Sequence, residues 1–223
     1  MIGYLSDDLS FCELDGRLFF LDIQKDRYFQ LSKALERRLL DYLDATDRTD
    51  ADIGPLIERG VLTASVPTSC HTATTTAPRR SALEVPNVDI PASFPMASQV
   101  FFSVALMRWQ LNTRPLKSIL TTLSDYRQRK ASPPGDGDAR CRQRLLETAM
   151  HFHRVRPFVP IPTRCLVDSL AMVRFLAARG LYAQLVMGIA ADPFSAHAWV
   201  QRGSWVLNEA LGTAQAHVPI RVI

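Results

Sequence analysis

Four cysteines, Cys12, Cys70, Cys141 and Cys165, lie tens of residues apart with no C-x-x-C pair, which argues against a zinc site or a disulfide framework. Cys165 is the one whose surroundings suggest chemistry. Pro162 stops a helix from propagating backward, and an apolar-periodic run through Leu166, Leu170, Val173, Phe175 and Leu176 continues to Gly180. The spacing therefore predicts a helix with Cys165 in its first turn. The N–H groups and macrodipole at a helix start stabilise negative charge, and the thiolate is the nucleophilic form of cysteine. Arg164 adds a neighbouring cation. A cysteine in a helix is ordinarily a small buried hydrophobe, so the assignment depends on partners. Residues 196–201 alternate as a strand, 202–204 form a loop and 205–209 return, which is a hairpin. A three-residue loop sets Gln201 opposite Trp205 and His197 opposite Glu209, whereas a two-residue loop sets Asn208 against His197. A cysteine at a helix start, a histidine on a strand and an acid or amide beside it suit cysteine acyl transfer: nucleophile, general base and orienter.

Other residues of reactive type fit less well. His151 and His153, two apart, fall on different helix faces and cannot share a metal. His71 and His217 read as solvated or structural, Asp168 as a helix surface charge, and Trp199 and Trp205 as hairpin core. No Gly-rich phosphate loop is present, and no metal site is expected.

The elements that must position these residues follow from the whole chain. Its 223 residues suit two modest domains. Apolar residues make up 47% and charged residues 22%, enough for a packed core and unlike collagenous or disordered chains. The apolar run at 100–107 is too short to span a bilayer, and Asp7 and Asp8 stand where a secretory signal needs basic residues, so a cytoplasmic protein without a membrane span is expected. Residues 1–60 carry a balance of −5 and residues 61–223 a balance of +9, as if two modules were joined. Arg127, Arg129, Lys130, Arg140, Arg142 and Arg144 flank Pro133, Pro134, Gly135 and Gly137, and read as solvated helix ends around a loop. Without interleaved aromatics they do not make a nucleic-acid platform.

Residues 9–14, 17–22 and 27–31 read as a three-stranded meander with turns at Asp15-Gly16 and Lys25-Asp26. Ser32 is a good N-cap for a helix bearing Leu35, Leu39, Tyr42 and Leu43. A short helix over 52–59, ending at Gly60, and a returning strand at 61–62 complete a winged-helix-like module over residues 1–64. The Thr- and Pro-rich stretch 65–98 cannot bury enough apolar surface to order itself and is expected to be a linker. Helices over 100–111, 115–127 and 139–154 then lead to the Cys165 helix and, from 182, to strands, so residues 99–223 form the second domain of an α+β protein.

The order Cys, His, acid on a helix and two antiparallel strands resembles the papain/transglutaminase-like superfamily. More narrowly, residues 184–189 (Gln-Leu-Val-Met-Gly-Ile), 192–200 from Asp192-Pro193 through His197 to Val200, then Gly203 and 206–209 (Val-Leu-Asn-Glu), resemble the B proteins of lasso-peptide biosynthesis, which are cysteine leader peptidases. The meander and helices resemble the PqqD-like recognition element that such proteins use to bind the leader of a ribosomal precursor peptide. The resemblance implies Cys165 as nucleophile and His197 as base. Where the family has aspartate this chain has Glu209, one methylene longer, which leaves Glu209 and Asn208 both open as orienter. It also implies that the leader adds as a strand to the edge at 27–31, its side chains falling among Tyr28, Phe29, Leu31, Leu35, Leu39 and Tyr42. Tethering would raise the local concentration of the scissile bond. No cofactor is implied for this chain; the ATP of the pathway would be used by a partner, an asparagine-synthetase-like cyclase.

Overall fold

In the computed structural model, residues 3–45, 53–65, 75–85, 94–131 and 139–223 are described. Cys70, His71 and the loop at Pro133–Gly137 lie outside them. The chain divides into two units, residues 1–73 and 74–223.

The first unit opens with a short strand that the sequence does not announce, β1 (Tyr4–Leu5), paired antiparallel with β5 (Leu62–Thr63). Between them lies the expected meander of β2 (Leu9–Leu14), β3 (Arg17–Asp22) and β4 (Arg27–Gln30). Asp15 and Gly16 take φ of 51° and 69°, the left-handed pair that a tight two-residue hairpin requires. Helix α1 (Lys33–Asp44) begins at Ser32, whose Oγ accepts the Leu35 N–H, and α2 (Gly54–Glu58) follows. The core joins Leu9, Leu18, Phe20, Leu39, Leu56 and Leu62. Glu36 is buried under this sheet, where its carboxylate accepts the Leu18 N–H at 2.5 Å and pairs with Arg17 at 3.0 Å.

The second unit begins inside the expected linker, which corrects that reading over 75–85. Here β6 (Arg80–Ser81) joins a sheet as its edge strand, and Ala82–Glu84 form a 3-10 turn. Composition misled because the partners are remote: the Gln201 amide, fully buried, donates to Thr75 Oγ1 at 3.2 Å and to the Thr76 carbonyl at 2.6 Å. Helix α3 (Phe94–Thr113) also starts within the stretch assigned to the linker. Then come α4 (Leu116–Lys130), α5 (Ala139–Val155) and α6 (Cys165–Ala177). Arg127 is not the solvated cation expected. It is buried, lies over the Tyr182 ring, and donates to the carbonyls of Ala183 and Ile223 at 3.0 and 2.6 Å.

Strands β7 (Gln184–Ala190), β8 (Ser195–Arg202), β9 (Trp205–Val206) and, after a short helix α7 (Leu211–Gln215), β10 (Val218–Val222) complete the sheet in the order β10-β7-β8-β9-β6. All pairings are antiparallel except β6 with β9. Helix α6 packs on β8 and against α3, α4 and α5. Residues Val167, Leu170, Ala171, Met172, Val173, Phe175 and Leu176 are all buried, so the helix is apolar on every side, as a central helix must be. Among the described residues no helix is long and apolar enough to cross a membrane.

Candidate active site

Helix α6 starts where Pro162 and the extended Arg164 (φ −143°, ψ 128°) predict, with Cys165 as its first residue and exposed. The preceding turn is held by Arg156, which is buried. Its guanidinium donates to Asp168 Oδ1 at 2.6 Å and to the carbonyls of Ile161 and Pro162 at 2.9 and 3.2 Å. Asp168 also accepts the Arg164 N–H at 3.2 Å. It is therefore not the surface charge expected. One carboxylate fastens the proline-rich approach and the helix start together.

His197 lies on β8, opposite Gly188 of β7. A Cβ at Gly188 would sit 2.8 Å from the Trp199 ring and 3.0 Å from the Val218 carbonyl oxygen. Glycine there lets Trp199, fully buried, fold across β7 beside the His197 ring, at a centroid separation of 6.3 Å. His197 Nε2 is 3.1 Å from Glu209 Oε2, which leaves Nδ1 for the sulfur. Hydrogen bonding between thiol and imidazole is the largest cause both of Cys165 lying below the ordinary thiol value and of His197 lying above the ordinary imidazole value; desolvation opposes both shifts. Backbone N–H groups of Ala198 and Leu166 further favour the thiolate, and the Glu209 carboxylate further favours the imidazolium. A thiol shifted down and an imidazole shifted up, together at a helix start, make an arrangement suited to nucleophilic acyl chemistry.

Of the two orienters left open, Glu209 meets the imidazole and Asn208 does not. The hairpin loop has two residues, with Arg202 opposite Trp205 and Gln201 opposite Val206, and the ladder ends there. That register does not carry Asn208 to His197. Its Oδ1 instead accepts the Val200 N–H at 2.7 Å, and Leu207 donates to the Val200 carbonyl at 2.8 Å. Glu209 reaches the ring from beyond the ladder, as part of a loop fastened from the 75–85 segment. Ser81 Oγ donates to the Glu209 carbonyl at 2.6 Å, and Glu84 accepts the Leu211 N–H at 2.9 Å.

His217, expected to be solvated or structural, lies with its ring centroid 5.2 Å from that of His197. Its Nδ1 donates to the Thr213 carbonyl at 2.8 Å, so Nε2, 3.1 Å from Ser195 Oγ, is the acceptor in the neutral ring. No local pattern signals it, because β10 brings it back beside β7. Among the described residues no group of three or more His, Cys, Asp or Glu side chains could hold a metal ion.

In the first unit, Leu31, Leu39 and Tyr42 are corrected as peptide-contacting residues. All three are at most 4% exposed, and the Tyr42 hydroxyl is engaged by Gly3 as donor and acceptor. They hold the helix to the sheet. Tyr28, Phe29 and Leu35 stay partly exposed beside β4, which pairs with β3 on one side and is an edge of the meander.

Over a segment of 46 residues the chain is 44% identical to the microcin J25-processing protein McjB of Escherichia coli, a match that covers 21% of this chain and 22% of that protein. The aligned segment is thus about a fifth of the relative's length. No solved structure gives a significant match. The profile of the transglutaminase-like superfamily matches residues 107–222, more than half of the chain, from within α3 through Cys165, His197 and Glu209 to β10; the chain belongs to that superfamily.

Proposed function

We propose that the protein is a cysteine peptidase that removes the leader from a lasso-type precursor peptide. The observation that carries the reading is the His197 imidazole, 3.1 Å from Glu209 Oε2 and electrostatically coupled to the Cys165 thiol. Similarity to McjB supports the peptide-processing part. In this reading the Cys165 thiolate adds to the scissile carbonyl while the first-turn N–H groups of α6, which have no acceptor within the helix, receive the oxyanion. The His197 imidazolium gives its proton to the departing amine, leaving a thioester and a neutral ring. His197 then takes a proton from water, hydroxide adds to the thioester, and the thiolate is released with a carboxylic acid product.

The first unit serves as the recognition element in this reading, with the leader adding as a strand to β4 and meeting Tyr28, Phe29 and Leu35. A separate asparagine-synthetase-like cyclase uses ATP to close the ring. The test is incubation of the purified chain with a synthetic leader–core peptide, followed by mass spectrometry. A leader ending in a free carboxylate supports hydrolysis, and a new amide instead assigns acyl transfer. Cys165→Ala is expected to abolish cutting and to leave peptide binding intact. Cutting by that variant overturns the proposal, and binding without cutting by the native chain leaves only a peptide-binding protein.

A further inference from the structure

Helix α6 contains one hydroxyl in an otherwise apolar buried stretch. Ser169 is fully buried and lies four residues, one helical turn, after Cys165 on the same face. A helical serine commonly returns its hydroxyl to the carbonyl four residues back. Ser169 does not. Its Oγ crosses to β8 and donates to the Ala198 carbonyl at 2.9 Å, and it accepts from Asn208 Nδ2 at 2.9 Å. Asn208 in turn accepts the Val200 N–H at 2.7 Å. Ala198 is the neighbour of His197, and its N–H is among the groups that favour the Cys165 thiolate. The Ala198 carbonyl is thus held from α6 one turn after Cys165, beside the residue that carries the imidazole.

We propose that Ser169 and Asn208 are positioning residues that set the separation of the Cys165 sulfur from the His197 imidazole by fastening α6 to β8 through Ala198. Neither touches the reacting atoms. The inference rests on the functional reading only for the use of the pair, not for its existence. A buried polar group is retained at a cost unless it is bonded, and here the hydroxyl bonds the β8 backbone at Ala198 and the Asn208 side chain, which itself holds Val200 of β8. A hydroxyl meant only to fill space could be replaced by the methyl of alanine with little effect on a thiol one turn away.

The test measures alkylation of Cys165 by iodoacetamide as a function of pH in the full chain, with the Cys165-containing peptide quantified by mass spectrometry. No precursor peptide is needed. Ser169→Ala is expected to shift the onset of reactivity upward by about one pH unit, a roughly tenfold lower rate on the acid side. Asn208→Ala is expected to do the same, and the double variant to be no worse than either, because the two act as one unit. With the peptide substrate, kcat is expected to fall and KM to hold. If Ser169→Ala does not fold, Asn208→Asp serves instead. It keeps the acceptor for the Val200 N–H, loses the donor to Ser169, and is expected to show the same upward shift.

A folded Ser169→Ala or Asn208→Asp protein that alkylates as the native chain does overturns the proposal. So does a native Cys165 with no reactivity below the ordinary thiol range, because the pair itself would then be absent. A native chain that alkylates readily on the acid side but cuts no peptide counts against the peptidase reading alone.

Discussion

The carboxylate on His197 can be removed without changing its shape. Glu209→Gln keeps an oxygen for the 3.1 Å contact with Nε2 and keeps the length of the side chain, but removes the charge. A hydrogen bond to a charged group contributes about 1.5–3 kcal/mol and a neutral one about 0.5–1.5. The Glu209 side chain is 31% exposed, so water screens it and the loss falls at the low end, about 1 kcal/mol, or roughly a fivefold rate effect. The sign in pH follows from the two shifts. Lowering the ionisation of Cys165 and raising that of His197 both favour the pH range in which a thiolate and an imidazolium coexist. Glu209 is among the groups that raise His197, so the amide lets the upper limit fall. A less persistent imidazolium then supports the thiolate less, so the lower limit rises. The window narrows from both sides, and both limits belong to the pair. Alkylation of Cys165 between about pH 4 and about pH 9 reads the lower limit, and the NMR shift of the His197 ring protons reads the upper one. Profiles for Glu209→Gln that superimpose on those of the native chain would refute the role of this carboxylate.

Three further outcomes are expected. Gly188→Ala forces a methyl against the Trp199 ring and the Val218 carbonyl and is expected to destabilise the second unit by about 1–3 kcal/mol, seen as a lower urea midpoint with an unchanged slope. Arg156→Ala leaves the partly buried Asp168 carboxylate without its cation and is expected to cost about 3–5 kcal/mol by the same measurement; Arg156→Lys should restore little, since an ammonium cannot span Asp168 and two carbonyls as the guanidinium fork does. Burial pushes the Cys12 thiol up to about 11, so at neutral pH it is expected to alkylate about a hundredfold or more slowly than Cys165, and comparable rates would contradict the burial of β2.

What the amino-acid order reveals about the site is what local physics determines. Pro162 and the apolar period place Cys165 at a helix start, and alternation places His197 on a strand. Both elements form where expected. Glu209 was reachable by counting residues, but not its route to the ring, because the contact is made beyond the end of the ladder. The remainder depends on distant partners. Ser81 is 128 residues from Glu209 in sequence, and nothing in a Thr- and Pro-rich composition signals that bond. His217 comes near His197 only because β10 returns alongside β7. The leader-groove residues failed in the opposite direction. Leu31, Leu39 and Tyr42 have the apolar spacing of a binding stripe, and the same spacing serves a small core, which has first claim on them.

Strand β6 and the turn after it bear on how the protein can be dissected. A fragment that begins at residue 99 retains the sulfur and the imidazole, yet it discards the Ser81 and Glu84 clasps and leaves the acid on an unfastened loop. A fragment that begins ahead of Thr75 retains all three together with the threonines that saturate the Gln201 amide. The natural place to separate the two units is therefore early in the threonine-rich stretch, and a second unit severed at its far end would lack the contacts that hold Glu209.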